Sequence, residues 1–282
     1  MKYLLLAFLS LSAFSSTVYN IYGTDNRKEV SALSREERRL TSSSAALIIH
    51  SFLVKRGSRY KIDAPTLEQM DGVCASERFR DQPAAALCSG TLIAPDLILT
   101  AAHCYRNDTI CDHASWVFNF DESRSGKYEV RALDVYRCKE VVFRSFDLKK
   151  GHDFAVVKLD RKVRGHAPAR LRETGSADAN TRLILVGHPR GLPTKLADDG
   201  WVTEEKDHLY LTNLDSYTGN SGSGVFNADT GLLEGVLSYG KDDYQELAPS
   251  SCMVSQIYRM QDGGEAVMKI DPVRSFLETY RP

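Results

Sequence analysis

Apolar residues in this chain fall mainly into short runs, many of which are separated by turn-forming residues such as those at 94–96 and 227–231. Runs of this length, rich in Val, Ile, Leu and Phe and bounded by Gly, Pro, Asn and Asp, are typical of β-strands. The sequence therefore predicts an all-β fold. The runs that carry this prediction are residues 46–49, 92–94, 97–99, 116–118, 141–143, 154–159, 183–186, 208–211, 224–226 and 232–237.

The last segment, residues 271–280, has a different pattern. Pro272 follows Asp271, and apolar side chains recur at Val273, Phe276, Leu277 and Tyr280. A proline at the first helical position after an aspartate cap, followed by this spacing, predicts a C-terminal helix.

The N-terminal region precedes these strands. Residues 1–15 combine Lys2, an apolar run and small residues at positions 13 and 15, which predicts a secretory signal peptide. Residues 16–45 form either a propeptide or an integral part of the fold. Within them, Ser34 and Glu37 either cap a short helix or lie in an exposed linker.

Composition narrows the function classes. The chain has 282 residues, of which 43% are hydrophobic and 26% charged, and its formal net charge is −1. These values are typical of a globular protein and give no support for nucleic-acid binding. Six cysteines agree with export, because disulfides persist in oxidising compartments. No two cysteines have the spacing of a zinc site, so we expect no metal.

Three motifs supply candidate chemistry. Residues 214–224 place Ser221 among small residues in a glycine-rich turn, where a nucleophilic hydroxyl is exposed. A serine needs a base and a group that orients the base. His103 follows the apolar run at 97–102, and Asp153 begins the apolar strand at 153–159. The order His, Asp, Ser is that of the chymotrypsin arrangement.

With these motifs the chain resembles the trypsin-like (chymotrypsin-fold) serine proteases, and most closely the bacterial V8-like glutamyl endopeptidases, which also carry the G-N-S-G-S sequence of residues 219–223. The resemblance covers residues 85–240. It implies two antiparallel six-stranded β-barrels closed by a terminal helix. The corresponding protease domain is residues 46–282, with barrel 1 at about 46–165, barrel 2 at about 166–270 and the helix at about 271–280.

The resemblance also implies roles for individual residues. His103 would take the proton from Ser221 and give it to the leaving amine, while Asp153 holds the imidazole. The backbone N–H groups of Gly219 and Ser221 would form the oxyanion hole. Asn220 stands where the animal enzymes have an aspartate that pairs with a freed N-terminus, so that activation switch is expected to be absent.

A disulfide between Cys88 and Cys104 is implied by the same resemblance, since this pair has the spacing of the bond that anchors the histidine loop. The other four cysteines allow three pairings. Of these, Cys111 with Cys138 and Cys74 with Cys252 are favoured.

By resemblance, Asp215 lies at the floor of the pocket for the side chain that precedes the cut bond, and Ser238, Tyr239 and Gly240 form the strand that pairs with substrate. A carboxylate in that pocket favours Arg or Lys. A turn or capping role for Asp215 is equally open. Leu237 stands where the glutamyl branch has a histidine, which argues against glutamate specificity.

The sequence thus predicts a secreted serine endopeptidase, extracellular or periplasmic, that acts on polypeptides without a cofactor. After signal removal we expect a monomer with no membrane or nucleic-acid partner. A protease-like binding protein that has lost catalysis is an alternative, as is an esterase that uses the same three residues.

Overall fold

The computed structural model describes residues 20–106, 109–123 and 125–280, so the predicted signal peptide lies outside the described residues. Within these ranges the chain is mostly β, with two closed six-stranded antiparallel barrels and a C-terminal helix. The predicted fold class is confirmed.

The strands, in chain order, are β1 (Asn20–Tyr22), β2 (Lys28–Glu29), β3 (Ser44–Ile49), β4 (Leu53–Arg56), β5 (Arg59–Ile62), β6 (Ala86–Ala94), β7 (Leu97–Thr100), β8 (Ala114–Val117), β9 (Glu129–Arg131), β10 (Val135–Asp147), β11 (His152–Leu159), β12 (Arg182–Gly187), β13 (Lys195–Glu205), β14 (Leu209–Thr212), β15 (Gly224–Asn227), β16 (Leu233–Tyr239), β17 (Tyr244–Leu247), β18 (Cys252–Tyr258) and β19 (Glu265–Lys269). The helices are α1 (Arg35–Thr41), α2 (Leu67–Asp71), α3 (Ile110–His113) and α4 (Asp271–Thr279).

Barrel 1 closes in the order β10-β11-β7-β6-β3-β8. Its interior is filled by large side chains that are almost completely buried, among them Trp116, Phe118 and Tyr136. The indole N–H of Trp116 donates to the Tyr105 hydroxyl at 3.0 Å, so its one polar atom is satisfied inside the barrel.

Barrel 2 runs β12-β15-β16-β19-β14-β13 and closes through the pairing of β13 with β12. The short strand β2 adds to the outer side of β13. The two barrels share one apolar cluster, to which barrel 1 contributes Leu99 and Phe154 and barrel 2 contributes Phe226 and Val236. Fully burying side chains of this size stabilises a fold by roughly 1.5–3 kcal/mol each.

The segment before barrel 1 is folded onto the barrels where the structure describes it. The Ser34 and Glu37 capping box is present in α1: the Ser34 N–H donates to the Glu37 carboxylate at 2.7 Å, and the Glu37 N–H donates to the Ser34 hydroxyl at 3.3 Å. Further upstream, β1 pairs in parallel with β18.

Helix α4 differs from its prediction at one end. Ile270, not Asp271, is the N-cap residue, and no side chain caps this end. Asp271 lies in the first turn, where its carboxylate binds the Arg274 guanidinium three residues on. The helix therefore starts one residue earlier than the proline pattern indicates. No helix among the described residues has the length and apolar character needed to cross a bilayer.

Candidate active site

A cleft is lined by residues of both barrels, and the three predicted catalytic residues meet there. His103 lies in the 3₁₀ turn Ala102–Tyr105 that follows β7, Asp153 is the second residue of β11, and Ser221 lies in the turn before β15. The first two come from barrel 1 and the third from barrel 2. The site therefore forms only when the two barrels pack together.

His103 is held by Asp153 through two contacts. Its Nδ1 lies 2.6 Å from Asp153 Oδ2, and its backbone N–H donates to Oδ1 at 2.9 Å. Because a carboxylate only accepts, Nδ1 carries the proton in this contact, which leaves Nε2 of the neutral ring as an acceptor. A disulfide joins Cys88 on β6 to Cys104, the neighbour of His103, and matches the pairing that the resemblance implies.

Asp153 is almost completely buried, and the Ser238 hydroxyl donates to its Oδ2. Burial by itself would raise the pKa of this carboxyl. The hydrogen bonds from His103 and Ser238 outweigh burial and hold the pKa of Asp153 below its ordinary value. The carboxylate therefore stays ionised opposite the imidazole.

Ser221 lies at the cleft, with its hydroxyl donating to the Ser238 carbonyl at 3.4 Å. Its turn is held in place by Ser89 on β6, a residue that sequence reasoning missed. The Ser89 hydroxyl donates to the Gly219 carbonyl at 2.8 Å, and the Ser89 N–H donates to the Ser221 carbonyl at 2.8 Å. The carbonyls of Gly219 and Ser221 are thereby both hydrogen-bonded to one residue of barrel 1.

The backbone at Gly219 has φ +95°, a conformation that favours glycine. Within the part of the chain that the structure describes, the N–H groups of Gly219 and Ser221 donate to no other residue. The intervening Asn220 is buried, and its side-chain oxygen accepts from the Ser223 hydroxyl at 3.1 Å. The turn thus leaves two amide donors free for an anionic oxygen.

The predicted substrate-pairing residues Ser238, Tyr239 and Gly240 all line the cleft. Exposed apolar side chains continue this surface, with Tyr239 45% exposed, Phe146 47% exposed and Leu148 45% exposed. Exposed aromatic and aliphatic side chains next to one another are typical of a surface that binds other side chains.

Asp215 is not where the resemblance places it. Its carboxylate is 1% exposed and faces the N-terminal segment, where Oδ1 accepts from the Tyr22 N–H at 2.9 Å and Oδ2 from the Asn26 N–H at 3.2 Å. It is not among the residues that line the cleft. Two backbone donors of a distant segment thus take up the oxygens of this carboxylate, which fits the turn or capping role left open for position 215.

A different carboxylate lines the cleft instead. Glu265, the first residue of β19, is 2% exposed and lies beside Gly240. Sequence reasoning missed it because residues 265–269 were not among the predicted strands and carry no motif. A charged residue at the start of a buried strand, EAVMK, is the one sequence signal that could have found it.

The family comparison agrees with this geometry. A model of the trypsin-like peptidase domain matches residues 88–236. The chain belongs to this family. The matched range of this trypsin-like peptidase begins at the disulfide beside His103 and includes Asp153 and Ser221.

Solved structures share the fold of this trypsin-like peptidase at low sequence identity. A Glu endopeptidase in complex with MPD is 18% identical with a TM-score of 0.54, and the match covers 90% of this chain and 99% of the other. Human heparin binding protein is 14% identical with a TM-score of 0.54, covering 93% and 99%. The search of curated proteins finds no match.

Proposed function

We propose that this trypsin-like peptidase is a serine endopeptidase that hydrolyses peptide bonds through an acyl-enzyme intermediate. The observation that carries the proposal is the contact of 2.6 Å between His103 Nδ1 and Asp153 Oδ2, at a cleft that also holds the Ser221 hydroxyl. It supplies an oriented base with Nε2 ready to accept a proton.

In the proposed reaction, the Ser221 hydroxyl turns from the Ser238 carbonyl to Nε2 of His103 and attacks the substrate carbonyl. His103 takes the hydroxyl proton, and the ionised Asp153 stabilises the imidazolium. The N–H groups of Gly219 and Ser221 donate to the oxyanion, an interaction worth ~10²–10³ in rate per donor. His103 then protonates the leaving amine, and water cleaves the acyl-enzyme by the same route.

Two features support a polypeptide as the substrate. Strand β16 ends with Ser238 and Tyr239 at the cleft, and Gly240 follows directly, so this backbone is available for pairing with an extended chain. The exposed side chains of Phe146 and Leu148 give further surface beyond the reacting bond. A small ester would leave this surface unused.

We further propose that the enzyme is exported, with residues 1–15 as its signal peptide. The structure contains three disulfides, Cys74–Cys252, Cys88–Cys104 and Cys111–Cys138, which fit an oxidising compartment. The contacts of α1 and β1 with the rest of the molecule support the segment from residue 20 as part of the folded enzyme.

Within the family we place the chain beside the V8-like branch. The support is the G-N-S-G-S sequence at residues 219–223 and the shared fold with a Glu endopeptidase. Leu237 in place of that branch's histidine argues for a different side-chain preference.

The test is labelling with an active-site-directed fluorophosphonate, followed by mapping of the labelled residue and of cut sites in a peptide library. We expect label on Ser221 and none on the Ser221→Ala variant, which should fold normally because removing a single half-buried hydroxyl creates no large cavity. Ser250→Ala, which alters an exposed serine far from this turn in sequence, is the control and should label fully. A folded wild-type protein that takes no label and cuts no peptide would instead support a binding protein.

A further inference from the structure

The cleft contains a buried carboxylate that the proposed reaction does not use. Glu265 begins β19, which pairs with β16 so that Ala266 lies opposite Tyr239. A Cβ atom added at Gly240 would lie 1.9 Å from Glu265 Oε2. The carboxylate thus packs directly against the end of the substrate-pairing strand, one residue beyond Tyr239.

The hydrogen-bond donors around this carboxylate are all uncharged. Oε1 accepts from the Lys241 backbone N–H at 3.2 Å, and the Ser216 hydroxyl donates to the same carboxylate. The Tyr22 hydroxyl lies 3.3 Å from Oε1 and shares its proton with the Gly263 carbonyl, which is closer at 2.9 Å. Glu265 forms no ion pair with any residue that the structure describes. A carboxylate buried without a cation is unfavourable, so an incoming cation gains more here than at an exposed acid.

Other charged groups near the cleft do not neutralise Glu265. The Asp243 carboxylate already binds Arg190 at 2.9 Å. The Lys241 ammonium lies over the Tyr258 ring, 4.4 Å from its centre, and so has a partner of its own. Neither group forms an ion pair with Glu265 among the described residues.

We propose that Glu265 selects Lys or Arg as the residue before the cut bond, by pairing with its cation in the pocket beside Gly240. The inference rests on the proposed function, since it names the substrate class of that same site. It also assigns the preference for basic residues to Glu265 on β19, in place of Asp215, whose carboxylate binds the N-terminal segment outside the cleft.

Titration of Glu265 agrees with this role. Burial, together with the repulsion from Asp243, raises the pKa of Glu265 to about 7. The groups that face it are the hydroxyls of Tyr22 and Ser216, and Lys241 and Asp243. The carboxyl is thus neutral in the empty pocket below about pH 7, and preference for a basic substrate is expected to weaken there.

The experiment compares kcat/KM for matched peptides that differ only in the residue before the cut bond, namely Lys, Arg, Gln, Leu and Glu. Glu265→Gln should lower kcat/KM for the Lys and Arg peptides by about tenfold or more and leave the Leu peptide within about twofold, since a charge-assisted bond is lost. Asp134→Asn is the matched control, because it removes another buried carboxylate, which lies in barrel 1 outside the cleft and does not contact the N-terminal strand, and it should keep the wild-type ranking of peptides.

An equal loss on all peptides, or wild-type cleavage chiefly after Glu or Leu, would overturn the proposal. Fluorophosphonate labelling of Ser221 in each protein separates this outcome from failure of the proposed function, in which no protein labels. If Glu265→Gln fails to fold, the proposal is tested on the wild-type enzyme alone, by measuring how small competitors change the rate of fluorophosphonate labelling. Benzamidine should slow labelling and neutral benzamide should not; equal effects of the two would also overturn the proposal.

Discussion

Two carboxylates, Asp215 and Glu265, are buried close to the N-terminal segment, and Tyr22 contacts both. The Tyr22 N–H donates to Asp215, and the Tyr22 hydroxyl, which also donates to the Gly263 carbonyl, lies 3.3 Å from Glu265 Oε1. Burial raises the pKa of each to about 7. Tyr22 thus links Asp215, which binds the N-terminal segment, to Glu265, which lines the cleft.

Asp215 should make the stability of the enzyme depend on pH. Its pKa is about 7 in the native state against an ordinary 3.8, so between these values the native state binds more protons than the unfolded state. Stability from this group is therefore greatest below about pH 4, falls as pH rises towards 7 and is constant above. The slope is at most about 1.4 kcal/mol per pH unit.

Urea unfolding of the wild type and of Asp215→Asn from pH 4.5 to 8.5 measures this effect. The difference in unfolding free energy, wild type minus variant, should decrease as pH rises to 7 and then level off. A difference that is constant over the whole range would contradict the raised pKa.

At the scale of elements, the turn before β15 depends on close backbone approach as much as on its hydroxyl. Gly222 has φ +87°, and a Cβ there would lie 2.1 Å from the Ser89 carbonyl oxygen and 2.2 Å from the Thr100 hydroxyl. Thr100 in turn donates to that Ser89 carbonyl at 2.7 Å. Strand β6, strand β7 and the serine turn are thus packed without room for one methyl group.

Gly222→Ala should therefore destabilise the fold and abolish labelling of Ser221. Gly57→Ala is the matched control, because Gly57 also has positive φ, +59°, but a Cβ there meets nothing within 4 Å. The control should lose about 1–2 kcal/mol from the left-handed conformation alone. Thermal unfolding of both variants measures how much more stability Gly222→Ala loses than Gly57→Ala. Similar losses would show that the neighbouring atoms move aside at little cost in free energy.

At the scale of the whole molecule, the Cys74–Cys252 disulfide joins residues 178 apart and connects the segment after α2 to β18. Strand β18 pairs with β1, which contains Tyr22. The disulfide therefore stabilises the sheet that holds the N-terminal segment against Asp215 and Glu265.

Replacing both Cys74 and Cys252 by Ser should lower the free energy of unfolding by about 2–5 kcal/mol. Because β1 is then held less firmly, kcat/KM for Lys and Arg peptides should fall more than for the Leu peptide. The control is the double replacement of Cys111 and Cys138, a 27-residue separation in barrel 1. Stability loss with no change in peptide ranking would show that the disulfide does not act on the pocket.

The chain pattern and motifs determined the fold class, the apolar strands and the candidate residues His103, Asp153 and Ser221, because each depends on local periodicity or on a short run of neighbours. Strands such as β5 and β17 were not predicted, since their polar and charged residues carry no apolar run and form sheets only through partners distant in sequence.

Tertiary structure alone decided which acid faces the cleft. The motif pointed to Asp215, and nothing local pointed to Glu265. The placement of both depends on distant residues: the donors to Asp215 are 189 and 193 positions away, and the groups beside Glu265 Oε1 are 24 and 243 positions away. The same holds for Ser89, whose hydroxyl orients a turn 130 residues away. Such contacts depend on how barrels and segments pack, and no local pattern of residue types records that packing.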